Sequence, residues 1–338
     1  MKVVIIGNGA AGFSAAKRLR STDSGMQVTL VDHQELPLYT KIRLPDYIAG
    51  GVGEEKLFIT TFEEYDRLGI ERLFGERVER LDSLKKILTM ASGRSLSYDV
   101  LLLATGAQAA IPRIDGIYGP GVFSLRTIAD ARTIIEKLKS VDAAVIIGGG
   151  LLGLEVAHAM KTKGLAVSVI EFFPQLLPKN LTDDEAAILL EKLRSTGLNI
   201  YLDRITSKIE REDGRLLVRT HKGDVIKTGL VLVSAGIQPE VSLAKVSGIK
   251  VDKGIVVNER LSTSATDVYA VGDCAEVNGF IQGLWVAAKE QGEAVAEIIL
   301  GRQQAYNPTL FTPLLKVSSI NLKDIKTEAA QRRAAKLL

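Results

Sequence analysis

The stretch "VIIGGGLLGLE", Val145–Glu155, decides the fold, because the chain has already used its pattern once: "VVIIGNGAAGFS", Val3–Ser14, stands at its start. In each copy a short β-branched run meets a cluster of glycines, and small and apolar residues follow. A continuous β-branched run is what a strand buried on both faces requires. The glycines permit a sharp turn, and the residues after them read as helix, Ala10 to Arg20 in the first copy and Leu151–Lys163 in the second. Each copy then reaches a second strand that ends at a carboxylate: Gln27–Val31 before Asp32, and Val167–Ile170 before Glu171. Strand, helix and parallel strand make a βαβ unit, and the chain contains it twice.

The spacing says more than the glycine content. Gly7, Gly9 and Gly12, and again Gly148, Gly150 and Gly153, read G-x-G-x-x-G between a strand and a helix. The first glycine serves the tight turn, the second lets backbone approach a pyrophosphate, and the third lets the helix pack close to the strand. The helix N-terminus offers free N–H groups and the positive end of its dipole to the phosphates. An acidic residue about 20 positions further on takes the ribose hydroxyls, the place of Asp32 and Glu171. Two complete patterns therefore predict two bound dinucleotides. Glu171 also predicts NADH over NADPH: a carboxylate accepts from a 2′-hydroxyl and repels a 2′-phosphate, and Phe172 and Phe173 follow where an arginine would be needed.

The rest of the chain is consistent with an ordinary globular protein. Its 338 residues are enough for two or three domains, and 46% hydrophobic with 25% charged is a usual balance. No apolar run reaches the length of a membrane span, and "VVII" is too short for a signal-peptide core, so a cytoplasmic protein is expected. A net charge of +3 is too small to suggest a nucleic-acid binder. The single cysteine, Cys274, excludes an intramolecular disulfide and any Cys-x-x-Cys pair, and His33, His158 and His221 are scattered, so no metal site is expected.

Further elements follow from local pattern. Strands are expected at Val100–Leu103, closed by Ala104-Thr105-Gly106; at Leu230–Val233, closed by Ser234-Ala235-Gly236; and at Val268–Val271, before Gly272-Asp273. Hairpins are expected around Ser92-Gly93 and Lys222-Gly223. Helices are expected at Ile128–Ser140, from the T-x-x-E box Thr182–Glu185 to Thr196, and from about Leu284 to Leu300. Glu35–Gly53 is irregular and suits a loop with a short helix, Pro112–Arg126 reads as a crossing between domains, and the tail holds a strand-like piece at Leu314–Val317 and a basic, alanine-rich helix, "TEAAQRRAAKLL".

Beside the two glycine motifs stand "LLLATGA" (Leu101–Ala107), "LVSAGIQP" (Leu232–Pro239), "VYAVGDCAE" (Val268–Glu276) and "LWVAAKEQG" (Leu284–Gly292). With these, residues 1 to about 317 resemble the FAD- and NAD(P)H-dependent pyridine nucleotide oxidoreductases. The resemblance implies an α/β chain of two Rossmann-like three-layer domains, the NAD domain inserted in the FAD domain. The divisions are residues 1–112 and 242–308 for FAD, 113–241 for NAD(H), and 309–338 as a short or truncated remnant of the family's C-terminal interface domain. It assigns to FAD Gly7, Gly9, Ala10, Ala11, Gly12, Asp32, His33, Lys41, Arg43, Val78, Ala104, Thr105, Gly106, Arg126, Gly272, Asp273 and Trp285. It assigns to NADH Gly148, Gly150, Leu151, Leu152, Gly153, Glu155, Glu171 and Gly236.

The thiol-bearing branches of that family carry a redox cysteine in the region that reads "PLYTKIRLPDYIAG" here, which has none; this loop resembles that of the rubredoxin reductases. The implied chemistry is hydride transfer from NADH to FAD, then electron transfer to a small acidic redox protein such as rubredoxin. The helix from Leu284 would favour the reduced flavin through its dipole, Lys41 and Arg43 would act as cations near the cofactor, and Glu155 would face the nicotinamide amide, with Arg43 as its partner. Two other readings stay open: an NADH oxidase using O2, quinone or dyes, and an NADH-sensing flavoprotein subunit without turnover. Oligomeric state is left open.

Overall fold

The computed structural model describes residues 1–309, 311, 315, 317 and 320–335. Ten strands build two five-stranded sheets. In chain order they are β1 (Lys2–Ile6), β2 (Gln27–Asp32), β3 (Ile70–Phe74), β4 (Val100–Leu103), β5 (Val122–Ser124), β6 (Ala143–Ile147), β7 (Ala166–Ile170), β8 (Asn199–Tyr201), β9 (Leu230–Val233) and β10 (Val268–Ala270). The helices are α1 (Ala10–Thr22), α2 (Leu44–Ala49), α3 (Phe62–Leu68), α4 (Ile128–Leu138), α5 (Leu151–Thr162), α6 (Asp183–Ser195), α7 (Ser242–Val246), α8 (Trp285–Ile299) and α9 (Leu322–Ala335).

Two compact units share these elements. The first comprises Met1–Thr40, Phe58–Gln108 and Ile237–Phe311. Its sheet runs β10-β4-β1-β2-β3, all parallel. Val3, Val4, Ile5, Leu101 and Leu102 are completely buried, which is why these strands carry unbroken apolar runs instead of alternation. α1 packs on β1 and β2 and against α8 at backbone contact: a Cβ on Gly292 would lie 2.2 Å from the Ala11 carbonyl oxygen. The hairpin expected around Gly93 is present as Ile87–Met90 against Ser95–Ser97, and an unforeseen third strand, Val78–Asp82, pairs beside it.

The second unit comprises Lys41–Leu57, Ala109–Gly236 and Thr312–Leu338. Its sheet runs β8-β7-β6-β9-β5, again all parallel. α5 packs on β6 and β7, α6 lies by β8, and the second expected hairpin, Arg215–Thr220 with Val225–Thr228, is extended by Thr206–Glu212. α9 starts five residues before the helix expected at Thr327, and rests on α6 through ion pairs of Lys192 with Glu328 (2.9 Å) and of Arg332 with Glu191 (3.4 Å). The strand-like piece expected at Leu314–Val317 lies partly outside the described residues.

One boundary differs in kind from the sequence division. Lys41–Leu57 falls with the second unit although 1–112 was assigned to the first domain. The cause is packing: α2 buries Leu44, Pro45 and Ile48 and lies against α4 and α5.

Candidate dinucleotide sites

The two glycine turns are built alike, atom for atom. Gly7 N–H donates to the Val31 carbonyl at 2.8 Å, and Gly148 N–H to Ile170 at 2.8 Å. Both residues have left-handed backbone, φ +111° and +112°, and a Cβ at either would collide with a carbonyl oxygen of the neighbouring strand's end, Ala104 at 2.1 Å and Ser234 at 2.2 Å. A Cβ at Gly12 would meet the Gly7 carbonyl oxygen at 1.9 Å, and one at Gly153 the Gly148 oxygen at 2.1 Å. Only glycine fits these four positions. The middle glycines differ from the rest. A Cβ at Gly9 or Gly150 would meet nothing within 4 Å, so the space in front of each turn is open for a bulky group.

The helices that follow are prepared for an anion. Neither α1 nor α5 has a side-chain cap bond at its N-terminus or an acidic residue in its first turn. The helices α4 and α6, which do not follow glycine turns, have both. Asp130 accepts the Thr127 N–H at 2.8 Å, and Glu185 accepts the Thr182 N–H at 3.0 Å. The first N–H groups of α1 and α5 have no partner within their own helices and face the open space with a positive dipole end. α8 likewise starts without a cap bond or an acidic first turn.

Each turn holds its carboxylate in the same way. Asp32 Oδ2 accepts the Asn8 N–H at 2.6 Å and Oδ1 accepts Gln34 N–H at 2.8 Å. Glu171 Oε2 accepts the Gly149 N–H at 2.6 Å and Oε1 accepts Phe173 N–H at 2.9 Å. The carboxylates are therefore oriented at the mouths of the turns. Behind the first turn lies a polar bridge that no local pattern signals. The buried Tyr65 hydroxyl donates to Asn8 Oδ1 (2.8 Å) and accepts the Leu38 N–H (3.0 Å), while Asn8 Nδ2 donates to the Leu36 carbonyl (3.0 Å). Burial pushes the Tyr65 phenol up to about 12.

The remaining predicted residues divide between the units. In the first, Ala10 and Ala11 open α1, His33 follows Asp32 and is largely exposed, and Val78 starts its strand. Ala104, Thr105 and Gly106 follow β4, with Thr105 Oγ1 donating to the Glu240 carbonyl at 2.7 Å. Gly272 and Asp273 form a short 3-10 turn in which Gly272 N–H donates to Oε1 of the buried Gln291 at 2.7 Å. Trp285 begins α8 and lines, with Ala10, Phe13, Leu38 and Tyr306, a cavity of about 880 Å³. That cavity's charges are mixed, Lys17, Arg18 and Lys289 against Glu290, Glu293 and Glu297.

In the second unit lie Leu151, Leu152 and the buried Glu155 on α5, Glu171 at the end of β7, and Gly236 with φ +105°. The three basic residues assigned to FAD, Lys41, Arg43 and Arg126, are also in this unit and not in the first. Arg43 pairs loosely with Asp46 at 3.7 Å. Cys274 is fully buried, its thiol donating to the carbonyls of Leu103 and Val271, and burial raises its pKa. Among the described residues no cluster of three or more His, Cys, Asp or Glu is placed to hold a metal ion, and no helix is long and apolar enough to cross a membrane.

Two parallel α/β units, each with an open glycine turn, an uncapped helix and a strand-end carboxylate, define a Rossmann-like α/β fold present twice in one chain. Residues 1–292 match the pyridine nucleotide-disulphide oxidoreductase family, and the chain belongs to it. It is 32% identical over 323 residues to the assimilatory nitrate reductase electron transfer subunit of Bacillus subtilis, covering 95% of this chain and 42% of that one. It is 32% identical over 325 residues to the NADH-rubredoxin oxidoreductase of Clostridium acetobutylicum, covering 95% and 80%. Its fold superimposes on the reductase in a covalent putidaredoxin reductase–putidaredoxin complex with a TM-score of 0.89 at 27% identity, over 95% of this chain and 80% of that one. The chain thus spans about two fifths of the nitrate-reductase relative and four fifths of the other two.

Proposed function

We propose that the first unit holds FAD, that the second binds NADH, and that the electrons go on to a small redox protein of the rubredoxin kind. The observation that carries this reading is the paired geometry: two open turns, each with unpaired helix N–H groups beside an oriented carboxylate. In the first unit the N–H groups of Ala10, Ala11 and Gly12 would hold the FAD pyrophosphate, Asp32 the adenosine ribose, and Gly272-Asp273 the ribityl side. In the second, Leu151, Leu152 and Gly153 would hold the NADH pyrophosphate and Glu171 its ribose hydroxyls. The buried Glu155 would accept from the nicotinamide amide and set the ring's orientation. FAD, when bound, supplies a two-electron acceptor that can pass electrons on singly.

A thiol relay finds no support in this chain. Its one cysteine, Cys274, is a buried thiol with a raised pKa, and the thiolate is the reactive form. Electrons would therefore leave the flavin directly. The rubredoxin-type acceptor is favoured by the relative whose name states that activity, which is 32% identical over a stretch covering 95% of this chain.

Anaerobic stopped-flow mixing with NADH, followed by turnover with rubredoxin, ferredoxin and O2 in parallel, tests the reading. Fast flavin bleaching, with rubredoxin turnover about tenfold or more above O2 turnover, is expected. Equal turnover with O2 would make the protein an NADH oxidase. No bleaching would leave only a sensing role.

A further inference from the structure

The two turns hold their carboxylates alike but carry different side chains beside them. At each, the second carboxylate oxygen accepts the N–H two positions on, Gln34 to Asp32 Oδ1 at 2.8 Å and Phe173 to Glu171 Oε1 at 2.9 Å. These matching backbones carry His33 and Gln34 at the first turn, and Phe172 and Phe173 at the second. The phenylalanine rings lie outside the core, Phe172 59% and Phe173 45% exposed. Among the described residues no other two large apolar neighbours in sequence are both exposed. Rings left in water add little to folding, so their place calls for another reason.

The rings are set before any ligand arrives. They meet edge to face, with centroids 5.1 Å apart and planes at 89°, so each restricts the other. Their backbone is stitched at both ends to a neighbouring loop: Asp203 N–H donates to the Phe173 carbonyl and Arg204 N–H to the Glu171 carbonyl, each at 2.9 Å. That loop is itself pinned, Asp203 by Lys222 and Arg204 by Asp224 at 2.7 Å.

We propose that Phe172 and Phe173 form a stacking platform for the adenine ring of the nicotinamide dinucleotide. The inference rests on the reading that the second unit binds NADH. In that reading the pyrophosphate lies at the start of α5, and Glu171 takes the ribose of the adenosine half. The base is attached to that ribose, so it lies beside Glu171, where the two rings stand. Every base has a π-face, and stacking it on an aromatic side chain raises affinity by about tenfold or more. FAD carries the same adenosine half, yet the rings stand only at the turn read as the NADH site. The platform touches the half of the dinucleotide that does not react, so it contributes capture and not rate.

The test uses the flavin-loaded protein and two reductants, NADH and reduced nicotinamide mononucleotide, which has no adenosine half. ADP-ribose, which has no nicotinamide, serves as competitor. The variants are the pair Phe172→Leu/Phe173→Leu, the aromatic control Phe172→Tyr/Phe173→Tyr, and Gly153→Ala. The leucine pair is expected to raise the NADH dissociation constant, read from the concentration dependence of flavin reduction, about tenfold. The ADP-ribose inhibition constant should rise by the same factor. The limiting rate of reduction, and the second-order rate constant with the mononucleotide, should stay within about twofold of wild type. The tyrosine pair should keep wild-type constants. Equal losses with NADH and the mononucleotide would overturn the proposal, because the rings would then only support the turn. Unchanged NADH and ADP-ribose constants in the leucine pair, with both weakened in Gly153→Ala, would overturn it and leave the reading of the second unit standing. If Gly153→Ala also leaves both constants unchanged, the reading of the second unit fails and the platform fails with it.

Discussion

Asn8 and Gly149 occupy the same place in the two turns, and each donates its N–H to the carboxylate at the end of the next strand. The side chains are matched. Glu171 is one methylene longer than Asp32, and its carboxylate fills the volume a side chain at 149 would need: a Cβ there would lie 2.9 Å from Glu171 Oε2 and 2.9 Å from Leu176 Cδ2. Opposite the shorter Asp32 there is room for Asn8, and Asn8 uses it to reach Tyr65 and the Leu36 carbonyl. Tyr65→Phe removes the acceptor for the buried Leu38 N–H and should cost about 1–3 kcal/mol in urea unfolding at neutral pH. The same phenol has its folded pKa raised from 10.0 to about 12, so between those values the unfolded chain loses the proton first. Stability from this group is complete below 10.0 and falls as pH rises toward about 12. Tyr65→Phe should therefore show a shallower alkaline loss than the wild type, read from unfolding midpoints across that range. At the other turn, Glu171→Ser with Phe172→Arg should raise the NADPH/NADH efficiency ratio about tenfold or more, because a repelling carboxylate is exchanged for a cation. An unchanged ratio in steady-state kinetics would remove Glu171 as the selector.

At the scale of elements, α1 and α5 differ from α4 and α6 in what ends them. The capping boxes at Thr127–Asp130 and Thr182–Glu185 complete their helices with the chain's own atoms, whereas the glycine-turn helices start without a side-chain cap. Each glycine-turn helix also depends on one close approach. Gly12→Ala puts a methyl 1.9 Å from the Gly7 oxygen, and Gly153→Ala puts one 2.1 Å from the Gly148 oxygen. The backbone must shift in either case, a strain of about 1–3 kcal/mol or more. Gly12→Ala is expected to purify with little flavin absorbance. Gly153→Ala should keep its flavin and bind NADH about tenfold more weakly, as measured by titration. Reversed outcomes would exchange the cofactor assignments of the two units.

At the scale of the whole molecule, the two βαβ units, their glycine turns, the closing segments Ala104–Gly106 and Ser234–Gly236 and the helix at Trp285 are all legible along the chain. Each is specified by neighbours: a buried strand needs a continuous apolar run, a left-handed turn needs glycine, and a capped helix needs its box within four residues. Such short-range requirements leave a mark in contiguous sequence. The Tyr65–Asn8 bridge leaves none, because its partners stand 57 positions apart and a lone tyrosine in an amphipathic helix reads as core. The membership of Lys41–Leu57 leaves none either. By position it belongs to the first βαβ unit, and only the burial of α2 against α4 and α5, with Arg132 closing on Glu54, assigns it to the second. The sequence by itself determined that there are two strand–glycine turn–helix units and which strand-end carboxylate each turn holds. Tertiary packing alone decided which compact unit the Lys41–Leu57 segment joins, because that choice depends on side chains meeting across long separations, where no local periodicity records them.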